Sequence, residues 1–250
     1  MTRMSGKVVL ITGAGHGMGR SHALLLAQEG ATVVVTDRDH DAGASVAAEI
    51  ISREQSASFA PLDVSSEKEW KAAVSHALQT FGRLNVLVNN AGTYVYGMTE
   101  DIGADDWDRV FAVNARGTFL GCREVIPLMK RAGGGSIVNV ASNFGLVGRP
   151  GFSVYCASKG AVRMMTKAMA AELADFNIRV NSLHPGLVST DMTKDLIATP
   201  EALDALLGPA LIRRAADATE LAGAVLFLAS DESSYVTGSE FVVDGGYSSV

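Results

Sequence analysis

The sequence predicts an α/β fold, a doubly wound, seven-stranded parallel sheet in a single domain with helices on both faces. Three observations carry this. Short β-branched runs alternate with longer helix-patterned stretches along the 250 residues. Several runs are apolar at nearly every position, as strands covered on both faces should be. Strand, helix and strand at this spacing imply parallel pairing through right-handed crossovers. The chain is 48% hydrophobic and 19% charged, which excludes a disordered chain, and its length suits one sizeable core.

The first strand, 8–11, runs into Thr12-Gly13-Ala14-Gly15-His16-Gly17-Met18-Gly19, and a helix follows over 17–29. A phosphate must approach backbone N–H groups at a helix N-terminus, and side chains there would block it, so this loop reads as a dinucleotide phosphate cradle. The second strand, 32–36, ends at Asp37-Arg38. A carboxylate at that strand end accepts hydrogen bonds from an adenosine ribose and repels a 2′-phosphate, which favours NAD over NADP. Arg38 and His16 count the other way, as cations in place to meet a phosphate.

A helix over 41–53 leads to a weaker strand at 58–62, then a helix over 66–80 and a strand at 86–88. One long helical pattern covers 105–131. The fifth strand, 136–140, is followed by a helix over 154–174, the sixth strand at 178–181, a helix over 217–229 and the last strand at 240–243. Segment 187–215, with Pro200 and Pro209, breaks the rhythm after the sixth strand. An open α/β sheet places its ligand cleft at the carboxyl ends of its strands, so 187–215 is expected to cover a substrate as a lid.

Two features carry chemistry. Tyr155 and Lys159 open a helix at positions i and i+4, on one face. A tyrosine with an ordinary pKa near ~10 is a poor proton-transfer group at neutral pH, and a nearby cation lowers that value. A phenol so tuned exchanges a proton with an alcohol or carbonyl oxygen. Ser142 follows the fifth strand at the same ligand edge, with a hydroxyl able to donate to a substrate oxygen.

Composition narrows the partners. Twenty-one basic against 27 acidic residues give a net charge of −6, not the basic surplus of a nucleic-acid binder or a protein of anionic membrane surfaces. No apolar run approaches the ~18 residues of a membrane span, and the first run is too short for a signal peptide. Cys122 and Cys156 are too few for a disulfide scaffold, and the five scattered histidines show no metal-ligand spacing. A cytoplasmic setting without a metal is expected.

In this order and spacing the residues resemble the short-chain dehydrogenase/reductase family, in its single-domain branch of about this length with a Rossmann-type sheet. The resemblance runs from Ser5 to Tyr247 and rests on TGAGHGMG at 12–19, Asp37, Leu62-Asp63-Val64, Asn89-Asn90-Ala91-Gly92, Asn114, Ser142, YCASK at 155–159, and Pro185-Gly186 with Thr190. It implies Tyr155 as general acid/base, Lys159 as the residue that lowers its pKa and holds the nicotinamide ribose, Ser142 as the group that polarises the substrate oxygen, and Asn114 as support for a water linking Lys159 to solvent. Asp63 and Val64 would flank the adenine, Asn90, Ala91 and Gly92 would lie along the cofactor, and Val188 and Thr190 would hold the carboxamide. Asn85 stands where the family often has Asp, and Met18 replaces a common branched residue; neither threatens the activity.

The implied activity is interconversion of a secondary alcohol and its ketone with NAD(H). Thr93, Tyr94, Asn143, Phe144, Leu146, Val147, Phe152 and part of 187–212 are expected on the substrate side. They are mostly apolar, which favours an uncharged cyclic, terpenoid, steroid-like or aryl substrate; Arg149, Arg213 and Arg214 are the cations available to a carboxylate. Alternatives are a 3-oxoacyl-thioester reductase and, remotely, a non-enzymatic dinucleotide sensor. The resemblance implies a homotetramer built on helices 105–131 and 154–174, although Met164, Met165 and Met169 also suit a core, with run 241–250 near a subunit boundary.

Overall fold

The computed structural model describes residues 2–249. Strand β1 (Val8–Thr12) is buried throughout and leads into helix α1 (Gly17–Gln28). Strand β2 (Thr32–Asp37) leads to α2 (His40–Ser52), whose free N-terminal amides are met by the Asp39 carboxylate, accepting from Ala42 N. After β3 (Ala57–Pro61), α3 (Glu67–Phe81) is capped by Ser66 and ended by Gly82 at φ 73°. Then come β4 (Val86–Asn89), α4 (Ala104–Phe111), α5 (Gly117–Ala132), β5 (Gly135–Val140) and α6 (Ser153–Leu173). The chain finishes through β6 (Ile178–Pro185), β7 (Val188–Ser189), α7 (Pro200–Leu207), β8 (Ala216–Asp217), α8 (Ala218–Ala229) and β9 (Glu240–Val243).

Seven strands form one parallel sheet in the order β3-β2-β1-β4-β5-β6-β9, as the alternation predicts. Successive residues of β1 point to opposite faces. Val9 and Ile11 join Leu26, Ile50 and Val225 in one core under α1, α2 and α8. Val8 and Leu10 join Trp70, Leu120 and Met129 in a second core under α3, α5 and α6. Strand order reverses between β1 and β4, and there the crossovers diverge to opposite faces and leave a crevice at the carboxyl edge.

Two expectations needed correction. The pattern over 105–131 is not one helix: α4 and α5 are separated by a five-residue π-helical segment, Ala112–Arg116. Its sequence is helix-compatible, so periodicity gives no warning; the wider turn carries Asn114 to a fully buried position. The sixth strand runs four residues further than read, to Pro185, because β9 pairs with it from Ser182 to Pro185. Segment 187–215 has structure of its own: a short helical turn at Lys194–Ile197, then α7, with Val188 paired to Ala216 where the excursion closes.

A polar row anchors α6 to the sheet. Asn89 Nδ2 donates to Asn139 Oδ1 at 2.9 Å, and Asn139 Nδ2 donates to Thr166 Oγ1 of α6 at 2.9 Å. At the sheet edge Glu240 pairs with Arg163 and Lys167 of α6 at 2.7 and 2.9 Å. Of the methionine stripe, Met169 is core and Met164 is 60% exposed. Among the described residues no helix is long and apolar enough to cross a membrane.

Candidate active site

The glycine loop is shaped by close approach. Gly13 and Gly17 take φ 62° and 49°, in the region that favours glycine. A Cβ on Gly19 would lie 2.1 Å from the Gly13 carbonyl oxygen. Asn90 braces the loop from β4: its Nδ2 donates to the carbonyls of Thr12 and Gly13 at 2.9 and 3.1 Å, and Thr12 Oγ1 accepts from Asn90 N and Ala91 N at 3.0 Å each. Asp37 is nearly buried, with Oδ2 accepting from Gly15 N and Oδ1 from Asp39 N, both at 2.9 Å. It therefore also holds the loop it was expected only to face.

These residues border a crevice of about 1580 Å³, its open mouth included, lined by Gly13, His16, Gly17, Met18, Asp37, Arg38, Asp63, Val64, Asn90, Ala91, Gly92 and Thr190. Gly15 and Gly19 shape it from behind. Thr93 belongs to this crevice, not the substrate side. Arg109 of α4 also lines it, reaching Thr93 Oγ1 at 3.2 Å, and no sequence motif marks it. His16 is engaged with two carboxylates, Asp39 at 3.1 Å and Asp191 at 3.8 Å, so it links the loop to the lid. Pro185 ends β6, and the Gly186 backbone passes so near Asp244 Cα that a Cβ would sit 2.7 Å from it. Val188 is buried in β7 and does not line the crevice. An open crevice with a side-chain-free cradle at its helix end fits a dinucleotide. Gly19→Ala is expected to weaken NADH binding by more than about tenfold in a fluorescence titration, because the displaced backbone is the cradle itself.

Beyond the crevice α6 carries Tyr155 and Lys159; a Cβ on Gly92, which lines the crevice, would lie 3.4 Å from Lys159 Nζ. Lys159 is almost wholly buried; its Nζ lies 5.8 Å from the Tyr155 ring centre and donates to the Val140 carbonyl at 2.8 Å. Asn114 is locked by Thr93, with Oδ1 accepting from Thr93 N and Nδ2 donating to Thr93 O, both at 2.8 Å. Its Nδ2 also donates to Ser158 Oγ at 2.9 Å, and Ser158 Oγ donates to the Tyr155 carbonyl at 2.8 Å. No spacing rule marks Ser158 inside the YCASK run, yet it ties Asn114 to the helix that carries Tyr155. Ser142 Oγ accepts from Phe144 N at 3.1 Å and lies 3.2 Å from Asn143 Oδ1.

The electrostatics differ from the sequence expectation. Burial pushes the Tyr155 phenol up to about 12, and the group that opposes it is the Ser142 hydroxyl, not Lys159. Burial also pushes the Lys159 ammonium down to about 8. The lysine's hydrogen-bond partner is the Val140 carbonyl of β5, not the phenol.

A second cavity, about 560 Å³ with its open mouth, adjoins Ser142 and Tyr155. Tyr94, Asn143, Phe144 and Phe152 line it, with Phe152 at the centre of a ring cluster 5.1–6.4 Å from Tyr94, Tyr96, Phe144 and Tyr155. Val147 and Leu146 do not line it: they belong to the turn after Ser142, with Val147 N donating to the Asn143 carbonyl. The lid contributes Leu187, Met192, Leu196 and Leu206. Tyr247 closes the far wall against Phe144 at 5.8 Å, so part of run 241–250 packs into this chain's own cavity; Val250 lies outside the described residues. No charged side chain lines the cavity among the described residues. The three candidate arginines are committed elsewhere: Arg149 to the Ala205 carbonyl, Arg213 to Asp204 and Arg214 to Glu220.

The family described as Enoyl-(Acyl carrier protein) reductase matches residues 13–248. The chain is 51% identical over 247 residues to cyclopentanol dehydrogenase of Comamonas testosteroni, with 99% of each chain covered. It is 48% identical over 248 residues to 3-alpha-(or 20-beta)-hydroxysteroid dehydrogenase of Mycobacterium tuberculosis, covering 98% of this chain and 90% of that one. The crystal structure of a short-chain type dehydrogenase/reductase from Mycobacterium marinum superposes with a TM-score of 0.93 at 36% identity, covering 99% of this chain and 97% of that one.

Proposed function

This chain belongs to the short-chain dehydrogenase/reductase family, and on that premise we propose that it interconverts an uncharged cyclic secondary alcohol and its ketone with NAD(H). The observation that carries the reading is that Ser142 and Tyr155 line an uncharged, ring-lined cavity, which shares Met192 with a crevice able to take a dinucleotide. The names of the relatives, a cyclopentanol and a hydroxysteroid dehydrogenase, support the substrate class.

The glycine loop, Asp37 and the 90–92 segment hold the dinucleotide, which when bound accepts or supplies the hydride. Ser142 directs the substrate oxygen. Tyr155 takes the hydroxyl proton as the alcohol is oxidised and returns it to the ketone oxygen in reduction. Lys159 would hold the nicotinamide ribose, and Asn114, fixed by Thr93 and Ser158, keeps the lysine's surroundings in register. The lid segment 187–215 closes the substrate cavity with aliphatic side chains. Exposed Trp107, stacked on Phe111 at 4.4 Å, and exposed Phe119 and Met164 support a homotetramer built on α4–α6, and two free cysteines suit a cytoplasmic protein.

The test is the rise in reduced-nicotinamide absorbance when the protein and NAD⁺ meet a panel of cyclic secondary alcohols, repeated with NADP⁺ and with a 3-hydroxyacyl thioester. Turnover confined to the thioester overturns the reading. NAD preference rests on Asp37: Asp37→Ser is expected to raise the NADP⁺-to-NAD⁺ ratio of kcat/KM by at least about tenfold, since a carboxylate beside a phosphate costs several kcal/mol. An unchanged ratio would leave Asp37 only its hold on Gly15 and Asp39.

A further inference from the structure

We infer that His184 is a positioning residue for Ser142, holding the serine's main chain from the neighbouring strand; this rests on the alcohol–ketone reading above, in which Ser142 meets the substrate oxygen. His184 lies on β6, is completely buried and lines neither cavity. It therefore acts only through what it touches. Its Nδ1 is 2.9 Å from the Ser142 carbonyl and its Nε2 is 2.9 Å from Ser182 Oγ. A carbonyl only accepts, so Nδ1 carries the proton. Burial lowers the basicity of the ring, which is neutral and leaves Nε2 to accept from the Ser182 hydroxyl.

The location explains the need. The β5–β6 register ends at Val140 and Leu183, and the last ladder hydrogen bond runs from Ala141 N to the Leu183 carbonyl at 2.8 Å. Ser142 lies one residue beyond it. The imidazole carries the strand connection that one residue further. Gly145 N donates to the same Ser142 carbonyl at 2.9 Å. Two donors on one carbonyl fix the peptide plane after Ser142, and with it the turn whose Phe144 N holds the Ser142 hydroxyl at 3.1 Å. An aliphatic residue of similar size fills the space at 184 and cannot donate. Ser182, two residues back on the same face, stops the ring from turning its other nitrogen to the carbonyl.

The experiment is a double-variant cycle on alcohol oxidation. His184→Leu is expected to lower kcat by about 10- to 100-fold while the Kd for NADH stays within about twofold, because a small displacement of a group at the reacting centre is costly. In the Ser142→Ala background the same change is expected to cost less than about threefold, since the hydroxyl it positions is gone. His184→Asn sets an amide donor near the place of Nδ1, and His184→Gln near that of Nε2, so the Asn variant is expected to recover most of the activity and the Gln variant little. If His184→Leu does not fold, the Asn and Gln pair carries the test by itself, and equal activity in the two overturns the proposal. A large Ser142→Ala loss that multiplies with His184→Leu overturns the role of His184 alone. An unchanged kcat in Ser142→Ala overturns the reading of the site and the role of His184 with it.

Discussion

Tyr155→Phe is expected to lower kcat by about 10³-fold in either direction while NADH binding stays within about twofold. The substitution removes one oxygen and keeps a ring that packs edge-on against Phe144 and Phe152 at 6.5 and 6.4 Å, so the cavity wall survives. The direction of the pKa shift adds a second readout. Burial raises the phenol to about 12, so at neutral pH it is protonated and ready to donate to a ketone oxygen. Alcohol oxidation needs the deprotonated form, so its kcat/KM is expected to climb with pH through the neutral and alkaline range. Ketone reduction is not expected to climb with it. Stopped-flow measurement of both directions at several pH values checks this. A loss below about tenfold in Tyr155→Phe, or a pH profile that the variant shares, would remove Tyr155 from the proton-transfer step.

His22→Leu is expected to stabilise the protein, increasingly so as the pH falls. His22 lies on the buried stripe of α1 with Gly19, Ala23 and Leu26, has no exposed surface, and neither ring nitrogen has a partner among the described residues. A buried polar group without a hydrogen bond costs about 1–3 kcal/mol, and leucine fills a similar volume without that cost. Burial also pushes the imidazole down to about 3 from its ordinary 6.5. Between those values the unfolded chain binds a proton that the folded chain refuses, so this residue removes stability as pH drops below 6.5. The slope is about 1.4 kcal/mol per pH unit, so the advantage of His22→Leu grows by roughly 2 kcal/mol between pH 7.5 and pH 5. Urea-unfolding midpoints of the two proteins at both pH values, at one protein concentration, measure it. A difference that does not change with pH would mean that the folded protein accommodates the charged ring.

The parts of the site legible in the sequence are those whose chemistry is local. Gly13, Gly17 and Gly19 are spaced by the geometry of one strand–helix turn. Tyr155 and Lys159 share a helix face through a fixed four-residue offset. Asp37 and Ser142 are found by counting to the ends of strands. The illegible parts are contacts between distant segments. Asn114 works through a π-helical turn in a sequence that any helix former would suit, and through Ser158, 44 residues away. Tyr247 enters the cavity from a C-terminal run with no periodicity, and Val147 leaves it because the turn after Ser142 points elsewhere. The commitment of Arg149, Arg213 and Arg214 to partners in and after the lid is likewise a matter of distant segments, which their sequence positions do not reveal.

The sequence by itself determined the layered sheet, because several strands apolar at nearly every position call for burial on both faces, and it determined the cradle and the Tyr155–Lys159 pair, because backbone geometry sets those spacings. The tertiary structure alone decided the state of the chemistry. Whether Tyr155 is lowered by Lys159 or raised by its surroundings depends on how many atoms exclude water from each and where the ammonium points. Those are sums over neighbours brought together from β5, α6 and the lid, and no window along the chain contains them.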